Sequence, residues 1–541
     1  MVTDGKILMG KGEEQVFLIP SMLNRHGLIA GATGTGKTIT LKVMAEGLSD
    51  IGVPVFLADI KGDVSGTALS GTDSEKMQGR LTKVGINPAE FTYHGYPSRF
   101  WDVYGKGGTP VRATISDMGP LMLSRILDLT DVQEGVLNIV FKVADDKGWK
   151  LIDFKDLKAM LTYTGEHSKE LMTTYGNVSS QSIGAIQRSL LTLEDAGAEQ
   201  FFGEPNLDVT DWMQTDKDGH GIINVLHCVE LYQHPALYAT FMLWLLSELF
   251  EVMPEAGDAD KPKMVFFFDE AHLLFNDAPK VLVEKIVQVV KLIRSKGIGI
   301  FFITQSPSDI PDDVLAQLNN RVQHALRAYT PAEQKAVRAA AQSFRPNPAF
   351  KTEDVIGSLG TGCALVSFLD EEGVPSIVQQ AMICPPQSAM KALDDAARAQ
   401  LITMNPLHDK YSAAIDNESA YEILNEQKQK ADEEKKAAEE AEAAKKQEEE
   451  AEKEKEKEQK EKDAEVLREA RLAKAEATIK NGGRTSRKRE SVVEKGLSSA
   501  ARSIGRDVGK QITRGILGSS HKTVEKAAGS LVSNLLGGLF H

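Results

Sequence analysis

Cysteine is scarce in this chain of 541 residues: only Cys228, Cys363 and Cys384 occur. None stands in a CxxC spacing, which disfavours a disulfide scaffold and a zinc ribbon and fits a reducing compartment. A cytoplasmic location is the expectation. Long apolar runs are also missing. The most apolar stretch, Phe241 to Phe250, is about ten residues, short of what spanning a bilayer needs. The opening MVTDGKILMGKGEEQ lacks a basic start followed by an apolar run, so no signal peptide is expected. An overall basic charge is absent too. The formal net charge is −14, a mild argument against a protein that simply coats nucleic acid. What remains is an ordinary globular composition, 42% hydrophobic and 26% charged, which excludes wholesale disorder and a collagen-like fibre.

The charge is unevenly spread. Residues 1–420 carry −16, residues 421–470 carry −7 and residues 471–541 carry +9. Splitting the total in this way removes most of its weight against nucleic acid, because an acidic body and a basic end coexist.

Residues 1–390 read as one globular core. Short apolar runs bounded by Gly and Pro recur, among them Val53–Ala58, Ile222–Leu226, Met264–Phe268 and Ile298–Thr304. Their length suits buried strands, and helical patterns lie between them. Strands that are apolar throughout, alternating with helices, predict an α/β fold with a mostly parallel sheet covered on both faces. Residues 391–420 read as a connector. Residues 421–480 are nearly all Ala, Glu, Lys, Gln and Arg, which are strong helix formers. Residues 452–463 contain no apolar side chain, so no coiled-coil seam is available. This stretch is expected to be a solvated single helix roughly 70–90 Å long, the alternative being a disordered spacer. The basic, small-residue-rich end, 481–541, leaves two readings open: an amphipathic segment for a protein partner or peripheral membrane contact, or a weakly ordered tail.

The strongest chemical signal is HGLIAGATGTGKTIT. Gly31, Ala32, Thr33, Gly34, Thr35, Gly36, Lys37 and Thr38 form a G-x-x-x-x-G-K-[ST] phosphate loop. Leu28–Ala30 before it suits a short strand and Thr38–Leu48 after it suits a helix. Glycines let the backbone turn so that N–H groups face phosphate oxygens, and a helix N-terminus adds partial positive charge. ATP is the expected ligand, with Lys37 reaching the β- and γ-phosphates and Thr38 ligating Mg²⁺. KMVFFFDEAHLL places Asp269 and Glu270 at the carboxyl end of a buried strand, the edge where open parallel sheets bind ligands. Asp269 fits the carboxylate that orients Mg²⁺, and Glu270 the base that polarises an attacking water. GIGIFFITQSPSDIP ends a further strand on Gln305, a candidate partner of the γ-phosphate or the lytic water. LADIKGD sets Asp59, Lys61 and Asp63 just past another strand end, where supporting and turn-capping roles are both open to the two aspartates.

The pieces RHGLIAGATGTGKT, LADIKGD, VFFFDEAHLL and IRSKGIGIFFITQSP, in that order, resemble the HerA/FtsK group of P-loop motor ATPases, and most of all its YjgR-like branch of HerA-like ATPases. With the material between them they cover about residues 20–380. The resemblance implies a RecA-like core with a helical insertion at about 100–215, assembled as a homo-oligomer, a hexameric ring, with ATP between subunits. It implies that Gln305 is the sensor and that Arg294, eleven residues earlier, is a finger supplied by the neighbouring subunit. Arg321 and Arg327 are second candidates for contacts with phosphate across subunits. Two departures stand out. The phosphate loop starts at residue 31, leaving no room for the β-barrel that precedes it in HerA proper. The membrane segments and winged helix of FtsK proper are not apparent. An ATP-driven translocase or helicase acting on DNA is the first expectation, and a protein-handling or assembly ATPase tethered through its tail is the alternative.

Overall fold

The computed structural model describes residues 1–257, 259–275 and 280–480. They divide into two units, Met1–Glu434 and Lys435 onward. The basic end at 481–541, and the partner or membrane contact expected of it, lie outside the described residues.

The first unit is built on one thirteen-stranded sheet. In chain order its strands are β1 (Val2–Thr3), β2 (Lys6–Lys11), β3 (Gln15–Leu18), β4 (Gly27–Ala30), β5 (Val55–Asp59), β6 (Ser98–Asp102), β7 (Thr109–Pro110), β8 (Ile223–His227), β9 (Met264–Phe268), β10 (Ile298–Thr304), β11 (Asn320–His324), β12 (Cys363–Ser367) and β13 (Gln379–Ile383). The strands from β11 through β4, β10, β9, β5, β8 and β6 to β7 run parallel, and β12, β13, β2, β1 and β3 extend the sheet antiparallel. The fold is thus α/β with a mostly parallel sheet, as its apolar runs imply.

Both faces of the central strands are dry, which is why these runs do not alternate with polar residues. Phe56, Phe266, Phe268 and Phe302 point into one core. Val55, Leu57, Phe267, Phe301 and Ile303 point into the other. The second core is covered by α1 (Lys37–Asp50), the helix after the phosphate loop. Next in the chain is α2 (Glu75–Lys83), capped by the Ser74 hydroxyl. The first core carries the helices α3 (Ile115–Ile126), α4 (Asp131–Lys147), α5 (Phe154–Glu166), α6 (Ser168–Tyr175) and α7 (Ser180–Asp195), which fill the interval between β7 and β8. Helix α8 (Pro235–Val252) follows β8, and α9 (Lys280–Leu292) leads toward β10. Helix α8 is apolar along most of its length, with Glu248 and Glu251 near its end, and has the length and composition of a membrane span. With 61% of that span buried against the sheet and insertion helices, it is a core helix.

Residues 391–420, read from sequence as a connector, are held on this unit. Leu393 joins the second core and Tyr411 the first. The Arg398 guanidinium lies over the Phe100 ring and 3.1 Å from His227 Nδ1. Arg112 Nη1 donates to the Tyr411 carbonyl at 2.8 Å. From Ala420 to Lys480 the chain is a 61-residue helix, about 90 Å at 1.5 Å per residue. Within the second unit its described side chains are exposed. Pairs at i,i+4 support it locally, such as Glu442–Lys446 at 2.9 Å and Glu456–Lys460 at 3.3 Å.

Candidate functional site

The loop from Gly31 to Gly36 leaves β4 at the carboxyl edge of the parallel strands. β4 lies between β10 and β11, and both grip the loop. Gly31 N–H donates to the Thr304 carbonyl at 3.2 Å, and Ala32 N–H to the Ala325 carbonyl at 2.9 Å. Gly31 has φ of +154°, and a Cβ there would lie 2.5 Å from His324 Cβ. Gly36 has φ of +122°, and its Cβ would meet Gly362 Cα at 3.1 Å. Only glycine fits these two turns, because a side chain would be strained and would strike a neighbour. His324 is the wall behind the loop. It is buried, its Nδ1 faces the Cys363 carbonyl at 3.0 Å, and its Nε2 faces Thr40 Oγ1 at 2.8 Å.

Helix α1 starts at Lys37 directly after the loop, so its unpaired N–H groups and positive dipole end face the same place. Lys37 is buried, and its Nζ donates to the carbonyls of Gly31 at 2.6 Å and Ala32 at 3.2 Å. Burial pulls its pKa down, and the nearby Glu270 and Asp269 carboxylates oppose that pull. Thr38 Oγ1 donates to Asp63 Oδ2 at 3.3 Å.

The carboxylates come from the ends of β9 and β5. Asp269 and Glu270 follow β9 directly, and Asp269 Oδ1 accepts the Glu270 N–H at 2.9 Å. Glu270 has a φ of +45°, an uncommon conformation for a residue with a side chain and typical of functional sites. Its carboxylate is buried, with three polar contacts among the described residues. Lys61 Nζ lies 2.5 Å from Oε1, His272 Nδ1 lies 3.3 Å from Oε2, and Gln305 Nε2 donates to Oε2 at 3.5 Å. Burial alone would raise the Glu270 pKa, but the Lys61 ammonium, aided by His272 and Lys37, holds it below the usual carboxylate range. Asp269 goes the other way: burial, with the Glu270 charge beside it, pushes it up to about 6. Asp59 is pushed up to about 7 by burial and by Asp63.

These acids suit a hard cation. Both carboxylate oxygens of Asp59, and Oδ1 of Asp63, are buried without a hydrogen-bond partner. Groups of that kind are costly unless something positive offsets them. Among the described residues no group of three or more His, Cys, Asp or Glu forms a protein-only metal cage.

The structure therefore brings together Gly31 to Thr38, Asp269, Glu270 and Gln305. It does not bring Arg294 to them. Arg294 is exposed on the turn Ile293–Lys296, at the amino end of β10, whereas Gln305 follows its carboxyl end. Seven residues of strand separate the two by about 20 Å. Arg321 is not available for phosphate: its Nε, Nη1 and Nη2 donate to the carbonyls of Leu318, Ser343 and Leu315 at 2.8, 2.8 and 3.0 Å. Arg327 is exposed, three residues past the end of β11. Two participants have no role in the sequence reading. Lys61 is visible there only as part of LADIKGD at a strand end. His324 carries no motif and shows itself only when β11 is laid beside β4.

Among curated proteins, the chain is 20% identical over 375 residues to the DNA double-strand break repair helicase HerA of Saccharolobus solfataricus, covering 67% of this chain and 66% of that relative. The chain thus spans just under two thirds of that relative's length. Solved structures with a similar course include the plasmid coupling protein TrwB in complex with a non-hydrolysable ATP analogue, at 14% identity, TM-score 0.45, 68% of this chain and 87% of that one. VirB4 of Thermoanaerobacter pseudethanolicus aligns at 16% identity with a TM-score of 0.43, over 74% of this chain and 100% of that one. Likeness of that size assigns no residue a role. The family match is broader: the family described as helicase HerA-like C-terminal matches residues 4–524, and the chain belongs to it.

Proposed function

We propose that this chain is the subunit of an ATP-hydrolysing motor of the HerA/FtsK type that moves along DNA. One observation carries the reading: a phosphate loop with its lysine, a paired Asp269–Glu270 and Gln305 meet at one edge of one parallel sheet. Loop amides, the α1 N-terminus and Lys37 would hold the β- and γ-phosphates. Thr38 and Asp269 would hold Mg²⁺, with Asp63 supporting Thr38 through the observed hydrogen bond. When bound, that ion supplies charge neutralisation on the β- and γ-phosphate oxygens. Glu270 orients a water and takes its proton as the water attacks the γ-phosphorus and the bond from that phosphorus to the β–γ bridging oxygen breaks, with ADP as the leaving group, and Gln305 helps to position that water or the γ-phosphate.

Arg294 is exposed at the end of β10 opposite Gln305, which leaves it free of its own site and open to a neighbouring subunit. A ring of identical subunits, a hexamer by family likeness, would carry each Arg294 to the next subunit's γ-phosphate, where such a residue is worth roughly 10³–10⁵ in rate. The helicase names of the curated relatives favour DNA as the track. A cytoplasmic site of action fits the few, unpaired cysteines. The acidic body and the long exposed charged helix favour a second reading, an assembly or protein-handling ATPase tethered through its C-terminal part. Steady-state ATP turnover, with and without duplex and single-stranded DNA at two salt concentrations, separates the two. Stimulation that weakens with salt supports the DNA motor, and turnover indifferent to DNA with no DNA binding rejects it.

A further inference from the structure

Among the described residues, Lys61 is the one cation paired with the Glu270 carboxylate at short range, and it comes from a different strand. It sits in the turn after β5, and its Nζ lies 2.5 Å from Glu270 Oε1. The two ends of this pair differ in freedom. The Glu270 side chain is 7% exposed and the Lys61 side chain 43%. Glu270 is further held by its φ of +45° and, at its other oxygen Oε2, by His272 and Gln305. The carboxylate is the fixed partner, and the lysine is the one with room to swing.

The pairing matters because a carboxylate oxygen bound to an ammonium is a poor proton acceptor and a crowded seat for water. It also matters because of what stands next to it. The electrostatic neighbours of Lys37 include both Glu270 and Lys61, so Lys61 lies within charge range of the place where Lys37 would meet phosphate. A γ-phosphate there carries more negative charge than Glu270 and would compete for the same ammonium.

We propose that Lys61 is a positioning latch: it holds Glu270 until a γ-phosphate draws its ammonium away, so that the base is freed only when ATP, and not ADP, is in the site. This rests on the reading of the site as an ATPase centre. In it, Lys61 acts on the chemistry through Glu270 and also lends the site a preference for the triphosphate.

The test is a double-mutant cycle on nucleotide binding, with no turnover required. Affinities for a non-hydrolysable ATP analogue and for ADP are measured on the full chain in four forms: unaltered, Glu270→Gln, Lys61→Met and the double variant. A latch predicts that Glu270→Gln raises the affinity for the analogue relative to ADP, and that this gain is about tenfold larger with Lys61 in place than in the Lys61→Met background. Lys61→Arg should restore the coupling, whereas a lysine that only fills space would give none. ADP binding by Lys61→Met at the unaltered level shows that the site is folded. An equal gain in both backgrounds, as plain repulsion between Glu270 and phosphate would produce, overturns the latch and leaves the ATPase reading standing. Absence of nucleotide binding by the unaltered chain overturns both.

Discussion

Gly31→Ala places a methyl group where the structure has no space for one. The residue has φ of +154°, and the new Cβ would lie 2.5 Å from His324 Cβ, 3.0 Å from Thr35 Oγ1 and 3.2 Å from His324 Cα. His324 cannot retreat. Its ring is fixed between Thr40 and Cys363, and its backbone is paired to β12. The loop must therefore move or the strand contacts must strain. Backbone strain of about 1–3 kcal/mol and overpacking of about 1–3 kcal/mol add to at least about 2 kcal/mol. The Gly31 carbonyl also accepts the Lys37 ammonium at 2.6 Å, so a shifted loop carries Lys37 with it. If about 2 kcal/mol must be recovered before the loop amides can meet phosphate, ATP affinity falls by about thirtyfold. Gly34→Ala is the control. Its φ is +77°, but a Cβ there meets nothing within 4 Å, so in the absence of nucleotide it should destabilise less than Gly31→Ala. The assays are equilibrium binding of a fluorescent ATP analogue and thermal melting with and without Mg-nucleotide. If Gly31→Ala binds and melts like the unaltered chain, the loop is not a close-fitting phosphate cradle.

Further expectations follow from the same geometry. Arg321→Ala removes three donors to backbone carbonyls and should lower stability by about 2 kcal/mol or more in denaturant unfolding, with turnover per folded molecule retained; loss of turnover at unchanged stability would return Arg321 to the chemistry. For Arg294, Arg294→Ala and Lys37→Ala subunits, each inactive alone, should recover some ATP turnover when mixed, since some interfaces then pair two intact halves; no recovery at any ratio, with mixed assembly verified, rejects the finger. His26 is buried with Nε2 donating to the Val290 carbonyl and Nδ1 accepting the Ile300 N–H, and burial lowers its pKa to about 4. A histidine depressed in this way contributes fully above its unfolded value of 6.5, and the contribution drains as pH falls toward 4. The stability gap between the unaltered chain and His26→Gln should therefore narrow on acidification by up to about 3 kcal/mol; a gap independent of pH across that window contradicts a neutral His26.

The parts of this molecule legible in the sequence are those in which local pattern and tertiary role coincide. Met264–Phe268 and Ile298–Thr304 read as strands because both of their faces are buried, which leaves an unbroken apolar run. The phosphate loop is legible because its glycines, lysine and threonine are contiguous. The segment 391–420 reads as a connector because its anchors, Leu393, Arg398 and Tyr411, are single residues in polar surroundings with no period. Strand β11 and the antiparallel strands β12 and β13 carry polar residues such as Asn320 and Gln379, and the strands they pair with include β4 and β2, far away in sequence. Arg321 looks like any other arginine beside a strand until the carbonyls of Leu315, Leu318 and Ser343 are placed around it. Lys61 and Glu270 are 209 residues apart, and no local rule pairs them. The sheet does so, by setting β5 beside β9.

The proposed role of Glu270 as the base of an ATP-hydrolysing site is decided by Glu270→Gln, with Mg-ATP binding and steady-state turnover measured on the same preparation. Binding should be at least as tight as in the unaltered chain, with turnover reduced by about 10²–10⁴. Turnover at the unaltered level, with ATP still bound, would contradict that role.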